Sequence, residues 1–244
     1  MPEGPSIVIA KEDLEPFIGK KILSASGSAG LNMKRLIHKN IVEIRTWGKH
    51  LLLCFDGFTV RVHFLMFGKY FINSRKALKP CLSLKFPKGE ELNFYTSAIK
   101  MIDEPLDKVY DWTADIMSDQ WDPRAARKKM KTNGGRLIAD VLMDQEIFPG
   151  LGNIIKNEVL YRARVHPKSL AGAIPSSGIT RILKEVNHYV FEFLLYKKAH
   201  VLAAHWEVYT KKICARDGAP VQKEYLGKQK RRCFFCDKCQ VKYT

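Results

Sequence analysis

The sequence predicts an α+β multidomain protein, with an N-terminal β-sandwich behind a leading helix, a helical middle and a small basic, cysteine-bearing tail. Three observations predict it. Short runs rich in branched and aromatic residues, punctuated by Gly, Pro and Lys turns, fill the stretch from Lys20 to about Met101. Helix-start signals and apolar residues at helical spacing take over after Asp122. Four of the six cysteines, Cys214, Cys233, Cys236 and Cys239, crowd into the last 31 residues.

Taken in order, residues 5 to 18 predict a short helix with Ile7, Leu14, Phe17 and Ile18 inward, stopped by Gly19. Strands are expected at ILSASG, IVEIRTW, HLLLCF, FTVRVHF, LSLKF and LNFYTSAIKMI. That many short strands in sequence indicate a sandwich or a barrel. Glu104 to Trp112 reads as a linker. Asp122-Pro123 is a capping residue followed by a first-turn proline, opening the basic helix RAARKKMK, which Asn133-Gly134-Gly135 breaks. Residues 136 to 146 predict an amphipathic helix, followed by the turn Ile147 to Gly152. A further helix is expected from about Asn153 to Arg164, ending before His166-Pro167, and one long helical stretch or two from Ser176 to about Trp206. The domain boundaries that follow are 1–112, 113–210 and 211–244.

Composition narrows the class of function. Lys and Arg number 41 against 25 acids, a formal charge of +16. That asymmetry exceeds what solubility needs and favours a polyanionic partner, nucleic acid ahead of an anionic membrane. No apolar run reaches the roughly 18 residues of a membrane span. Lys11, Glu12, Asp13 and Glu15 interrupt any signal-peptide pattern. The expectation is a non-secreted chain, cytoplasmic or nucleoid-associated if bacterial and nuclear if eukaryotic, and a monomer. Cys54 and Cys81, in strand-like apolar settings, read as buried small hydrophobes. Clustered intracellular cysteines read as a metal site before disulfides.

The chemistry-bearing residues begin at the N-terminus, Met1-Pro2-Glu3. Removal of Met1 would leave Pro2 with a free secondary amine, which titrates at about 8. Such an amine attacks a sugar aldehyde and forms a cationic iminium, an electron sink that needs no organic cofactor. Glu3 stands beside it as a proton carrier. In the segment Asp144 to Pro167, a glycine-rich turn opens a helix at Gly152-Asn153. Free backbone N–H groups and the positive helix end make this a phosphate site, and the Asn153 amide adds a donor. An ordinary helical hairpin with a Gly turn is the alternative.

These motifs, with Thr46-Trp47-Gly48-Lys49 and a cysteine cluster ending Cys239-Gln240, resemble the formamidopyrimidine-DNA glycosylase/endonuclease VIII family. The Asp144–Pro167 segment looks like its helix–two-turns–helix motif, and Pro2-Glu3-Gly4-Pro5 like its start. The resemblance runs through both ends and the middle of the chain in the family's order. It implies a β-sandwich catalytic domain, a helix–two-turns–helix DNA-binding domain and a C-terminal zinc-finger β-hairpin. Pro2 would then be the nucleophile at C1′ of the damaged nucleotide. Glu3 would handle protons during ring opening and base departure. Lys49 would grip a phosphate or assist at the sugar. Leu65, Met66 and Phe67 would fill the void left by a flipped base; the alternative places them in a strand core.

The metal cluster departs from the family pattern. The second C-x2-C knuckle is intact as Cys236 and Cys239, but the first reads Cys214-Ala215-Arg216-Asp217, with aspartate in the second cysteine's slot. Aspartate is an acceptable, harder zinc ligand. The expected set for one structural Zn2+ is Cys214, Asp217, Cys236 and Cys239, with a set using Cys233, or no metal at all, as the alternatives. Arg231 occupies the place of the family's finger arginine, which reaches phosphates flanking the flipped nucleotide; Arg232 is its neighbour.

The resemblance thus implies a bifunctional glycosylase and AP lyase acting on damaged double-stranded DNA, without an organic cofactor. Little room for a purine-capping loop before Cys214, together with bulky Leu65 and Phe67, points to oxidised pyrimidines over oxidised purines. A non-enzymatic DNA-binding protein would keep the charge, the helical motif and the finger, and make Pro2 incidental.

Overall fold

The computed structural model describes residues 2–244; Met1, and with it the expected processing step, lies outside the described residues. The chain divides into two compact units, Met1–Asp111 and Trp112–Thr244.

The first unit opens with α1 (Gly4–Leu14), with Glu3 in the N-cap position and Pro5 in the first turn. A 3₁₀ turn, Glu15–Phe17, ends it. Ile7, Leu14 and Phe17 are buried as expected, whereas Ile18 is exposed. The reason is local: Ile18 already has extended backbone and turns the chain out of the helix before Gly19.

Six strands follow: β1 (Ser24–Ser26), β2 (Glu43–Trp47), β3 (His50–Phe55), β4 (Phe58–Ile72), β5 (Leu82–Lys85) and β6 (Glu91–Ile102). They form one antiparallel sheet in the order β1-β5-β6-β4-β3-β2. The long strands β4 and β6 serve both ends of it. Their Thr59–Phe64 and Ser97–Ile102 portions extend β2 and β3, and their Lys69–Ile72 and Leu92–Tyr95 portions continue to β5 and β1. Val60, Val62 and Phe64 from one portion and Leu82, Leu84, Leu92 and Phe94 from the other share one core with α1. A single hydrogen-bonded sheet thereby folds over a sandwich-like core. Cys54 and Cys81 are half-buried, not fully buried as expected: Cys81 lies at the margin of that core, and Cys54 alternates with the core residues Leu53 and Phe55 along β3.

Glu104–Trp112 is more than a linker. It carries α2 (Leu106–Val109), and Tyr110 is buried, its ring against Trp47 and its hydroxyl 3.2 Å from His50 Nδ1.

The second unit is helical, with a terminal hairpin. Asp122 caps α3 (Pro123–Thr132) by accepting the Arg124 N–H at 2.7 Å. The helix expected over 136–146 is reduced to α4 (Ile138–Val141). Asp144 is the cause: its carboxylate accepts from Arg136 at 2.7 Å and from the Glu146 N–H at 3.0 Å, and that local turn replaces helix. Helices α5 (Asn153–Arg162) and α6 (Ser176–Lys198) pack together with Phe148, Leu151, Ile155, Val159 and Val186 at the centre. Helix α6 ends at Lys198, where His200 takes a left-handed conformation, and a short 3₁₀ turn, Leu202–His205, forms the second helical piece of the expected stretch. Strands β7 (Gln222–Leu226) and β8 (Arg231–Phe235) form the terminal antiparallel hairpin. No helix among the described residues is long and apolar enough to cross a membrane.

Candidate functional site

In the first unit, Pro2 and Glu3 precede the first turn of α1, at the positive end of the helix, and the Glu3 carbonyl accepts the Ser6 N–H at 2.8 Å. Glu3 is 2% exposed. Burial of a carboxyl is costly unless something compensates it. Lys49, the second residue of the two-residue turn joining β2 to β3, is also buried. Gly48 before it has φ 55°, the positive value that the first central position of a II′ hairpin turn requires. Behind the turn lies an aromatic and imidazole cluster, with His50 against both His63 and Tyr110. Burial, then Arg61 and His63, depress His50 to about 3, and burial likewise lowers His63. Both rings are therefore neutral near pH 7.

Leu65, Met66 and Phe67 lie within β4 but outside its pairing. Phe64 pairs with Ser97 and Lys69 with Tyr95, so four residues of β4 stand against Thr96 alone. The surplus is pushed off the sheet as a bulge. All three apolar side chains are exposed, Phe67 to 80%, and Phe67 has φ 69°. The strand-core alternative does not describe them. Gly68 closes the bulge against the sheet: a Cβ there would meet the Thr96 carbonyl oxygen at 2.7 Å and the Leu65 nitrogen at 3.0 Å.

In the second unit, Asn153 is the first residue of α5, after Gly152 in extended conformation. Arg231 opens β8, beyond the turn at Gly227. The two elements are joined by groups that local sequence patterns do not single out. Asn157 accepts the Phe234 N–H at 2.7 Å and donates to the Arg232 carbonyl at 3.2 Å. Lys156, 1% exposed, donates to Asn153 Oδ1 at 2.9 Å, to the Arg232 carbonyl at 3.3 Å and to Cys233 Sγ at 3.0 Å. Asp140 accepts the Lys228 N–H and packs so closely that a Cβ on Gly227 would lie 2.0 Å from its Oδ1. A cavity of about 920 Å³ opens between these groups, with Arg136, Gln145, Lys156, Lys228 and Arg231 in its wall.

The ligand atoms of Cys214, Asp217, Cys236 and Cys239 all lie within 4.8 Å of one another. Cys214 Sγ is 3.8 Å from Cys239 Sγ, and Cys236 Sγ is 3.4 Å from Asp217 Oδ2. Cys233 is outside this group, its sulfur turned to Lys156. The first knuckle is shaped by Gly218, with φ 69° and its N–H on the Cys214 carbonyl at 2.9 Å. Burial, followed by the Cys214 and Cys236 thiols, pushes Cys239 up to about 12. Three sulfurs and a carboxylate this close repel one another as anions, and a cation relieves that repulsion. Arg216 adds charge from outside: it stacks 3.7 Å over the Tyr161 ring and donates to Cys239 Sγ at 3.7 Å. The four residues fit a closed tetrahedral site.

Glu158 is a further group that local patterns do not single out. Fully buried, it accepts the N–H groups of Glu207, Val208 and Tyr209 at 2.8 to 3.1 Å and pins the chain between α6 and the first knuckle onto α5.

Comparison with known proteins identifies the family and the fold. Two family models match, the formamidopyrimidine-DNA glycosylase N-terminal domain over residues 1–97 and the formamidopyrimidine-DNA glycosylase H2TH domain over residues 113–200. Formamidopyrimidine-DNA glycosylase of Exiguobacterium sibiricum is 30% identical, over 75% of this chain and 74% of its own length. Endonuclease 8-like 2 of Homo sapiens is 35% identical over 75% of this chain and 58% of its own. Endonuclease 8-like 3 of Xenopus laevis is 29% identical over 90% of this chain but only 38% of its own, so the chain spans little more than a third of that relative. Among solved structures, Lactococcus lactis formamidopyrimidine DNA glycosylase, bound non-covalently to DNA containing an AP site, superposes with a TM-score of 0.87 at 25% identity, covering 98% of this chain and all of that one. A viral DNA glycosylase, at 21% identity and a TM-score of 0.83, shares the fold over 98% of this chain and all of its own.

Proposed function

The chain belongs to the formamidopyrimidine-DNA glycosylase/endonuclease VIII family, and we propose that it is a bifunctional DNA glycosylase and AP lyase of base excision repair, acting on oxidised bases in duplex DNA. The observation that carries this reading is the placement of Pro2 at the head of α1 beside a buried Glu3. With Met1 removed, the Pro2 amine attacks C1′ and the base departs. The resulting iminium makes the C2′ proton acidic, and its removal expels the 3′ phosphate by β-elimination; a second elimination releases the 5′ phosphate. Glu3 moves protons at the sugar and Lys49 steadies a phosphate or the opened sugar. Leu65, Met66 and Phe67 fill the space left by the extruded nucleotide, where apolar wedges lower the cost of unstacking. Asn153 and Arg231 hold phosphates. Cys214, Asp217, Cys236 and Cys239 would hold one Zn2+, a structural ion that fixes the hairpin bearing Arg231.

Within that reading the substrates are oxidised pyrimidines. The purine-type members of the family carry a capping loop before the finger. Here the corresponding stretch is short and Glu158 ties its backbone down at three successive residues.

Borohydride trapping on duplex DNA with an abasic site tests the mechanism. A covalent complex that maps to residue 2 is expected. No trapped complex, or one attached to a lysine, removes it. A lesion panel tests the specificity: 8-oxoguanine cut far faster than thymine glycol reverses the assignment.

A further inference from the structure

Lys156 is the most deeply buried of the described lysines, at 1% exposure against 9% for Lys49. An ammonium placed there is costly unless acceptors surround it. Three do: Asn153 Oδ1 one helical turn back, the Arg232 carbonyl and Cys233 Sγ on β8. A lysine ammonium carries only donors. It can therefore face only the oxygen of the Asn153 amide, and that choice sends the Nδ2 donor the other way. The same ammonium fixes the β8 backbone one residue beyond Arg231.

We infer that Lys156 is a positioning residue for DNA binding: it locks the Asn153 amide with its donor outward and ties it to the strand that carries Arg231, so that two phosphate contacts distant in sequence act as one rigid unit. Lys156 touches no phosphate itself. This rests on the reading of Asn153 as a phosphate donor. It adds a second layer that a helix N-terminus alone does not supply, since an unlocked amide presents oxygen to an anion as readily as nitrogen.

The test is a double-mutant cycle on the full chain, with affinity measured for a duplex carrying a tetrahydrofuran abasic-site analogue over a range of salt concentrations. Asn153→Ala and Lys156→Met are each expected to weaken binding about tenfold, the loss of one hydrogen bond to a charged group. The double variant is expected to bind no worse than either single one. The slope of log affinity against log salt is expected to stay unchanged in Lys156→Met, whereas loss of a direct phosphate contact lowers it by about one. Additive losses, or a reduced slope, overturn the inference while leaving the Asn153 reading in place. Wild-type binding by Asn153→Ala removes both. Asn153→Asp guards against misfolding at position 156, because it keeps an acceptor for Lys156 but offers phosphate no donor. It is expected to bind at least as poorly as Asn153→Ala, and wild-type affinity there also overturns the inference.

Discussion

Phe67 and Gly68 are neighbours with opposite requirements. Phe67 is the most exposed large apolar side chain among the described residues, so the fold gains little from it. Phe67→Ala is expected to leave the denaturant midpoint within about 0.5 kcal/mol of wild type and to slow excision from duplex DNA, measured as single-turnover rates. Gly68→Ala is expected to do the reverse first: its new methyl meets the Thr96 carbonyl, at a cost of about 1–3 kcal/mol in the same denaturation experiment. His50 carries a pH dependence. Its folded pKa of about 3 lies below the unfolded 6.5, so the unfolded chain takes the proton first. The stability it contributes is complete above 6.5 and drains away as the pH falls from there toward 3. Denaturation of His50→Gln between pH 7 and 4.5 is expected to show a shallower acid loss than wild type; equal slopes would place the sensitivity elsewhere.

At the scale of elements, the parts legible in the sequence are those specified by neighbours along the chain. The Asp122-Pro123 start of α3, the Gly48-Lys49 hairpin and the glycine turn before α5 all follow from local chemistry. The overextended helix over 136–146 shows the limit: its apolar spacing is real, but the Asp144 carboxylate spends itself on Arg136 and Glu146. The bulge in β4 was only half legible. Phe-Leu-Met-Phe fits a core strand, and the partner β6, some thirty residues later, sets the register that ejects it. Lys156 was not legible at all, because its partners lie on β8 and only packing brings them together. Asp217 was, since the intact knuckle at Cys236 and Cys239 leaves an incomplete set that the aspartate fills. Its role yields a prediction. Asp217→Ala is expected to release bound zinc at lower chelator concentrations than wild type, measured with a colorimetric indicator, and Asp217→Cys to retain it. Equal retention by wild type and Asp217→Ala would exclude Asp217 as a ligand.

For the whole molecule, the excess of 41 basic over 25 acidic residues sets the affinity scale. On the proposed reading, much of the DNA affinity is counterion release, which carries no lesion information. Affinity for undamaged duplex is expected to fall about 10³-fold or more between 50 and 200 mM salt, if six or more phosphates are engaged. A nearly flat salt response would mean that the charge serves another purpose. On the proposed reading, lesion discrimination comes instead from the β4 bulge and the chemistry at residue 2.

The β4 bulge has a consequence for how such a protein can change. Pairing is intact on both sides of it, at Phe64 with Ser97 and at Lys69 with Tyr95, and the surplus residues between contribute almost nothing to the core. The sheet therefore treats this stretch as a cassette. Residues can be exchanged there, or the stretch lengthened, without shifting either flank out of alignment, provided that Gly68 keeps its close approach to Thr96. Heritable variation in the side chains that the bulge presents is thereby decoupled from variation in whether the protein folds.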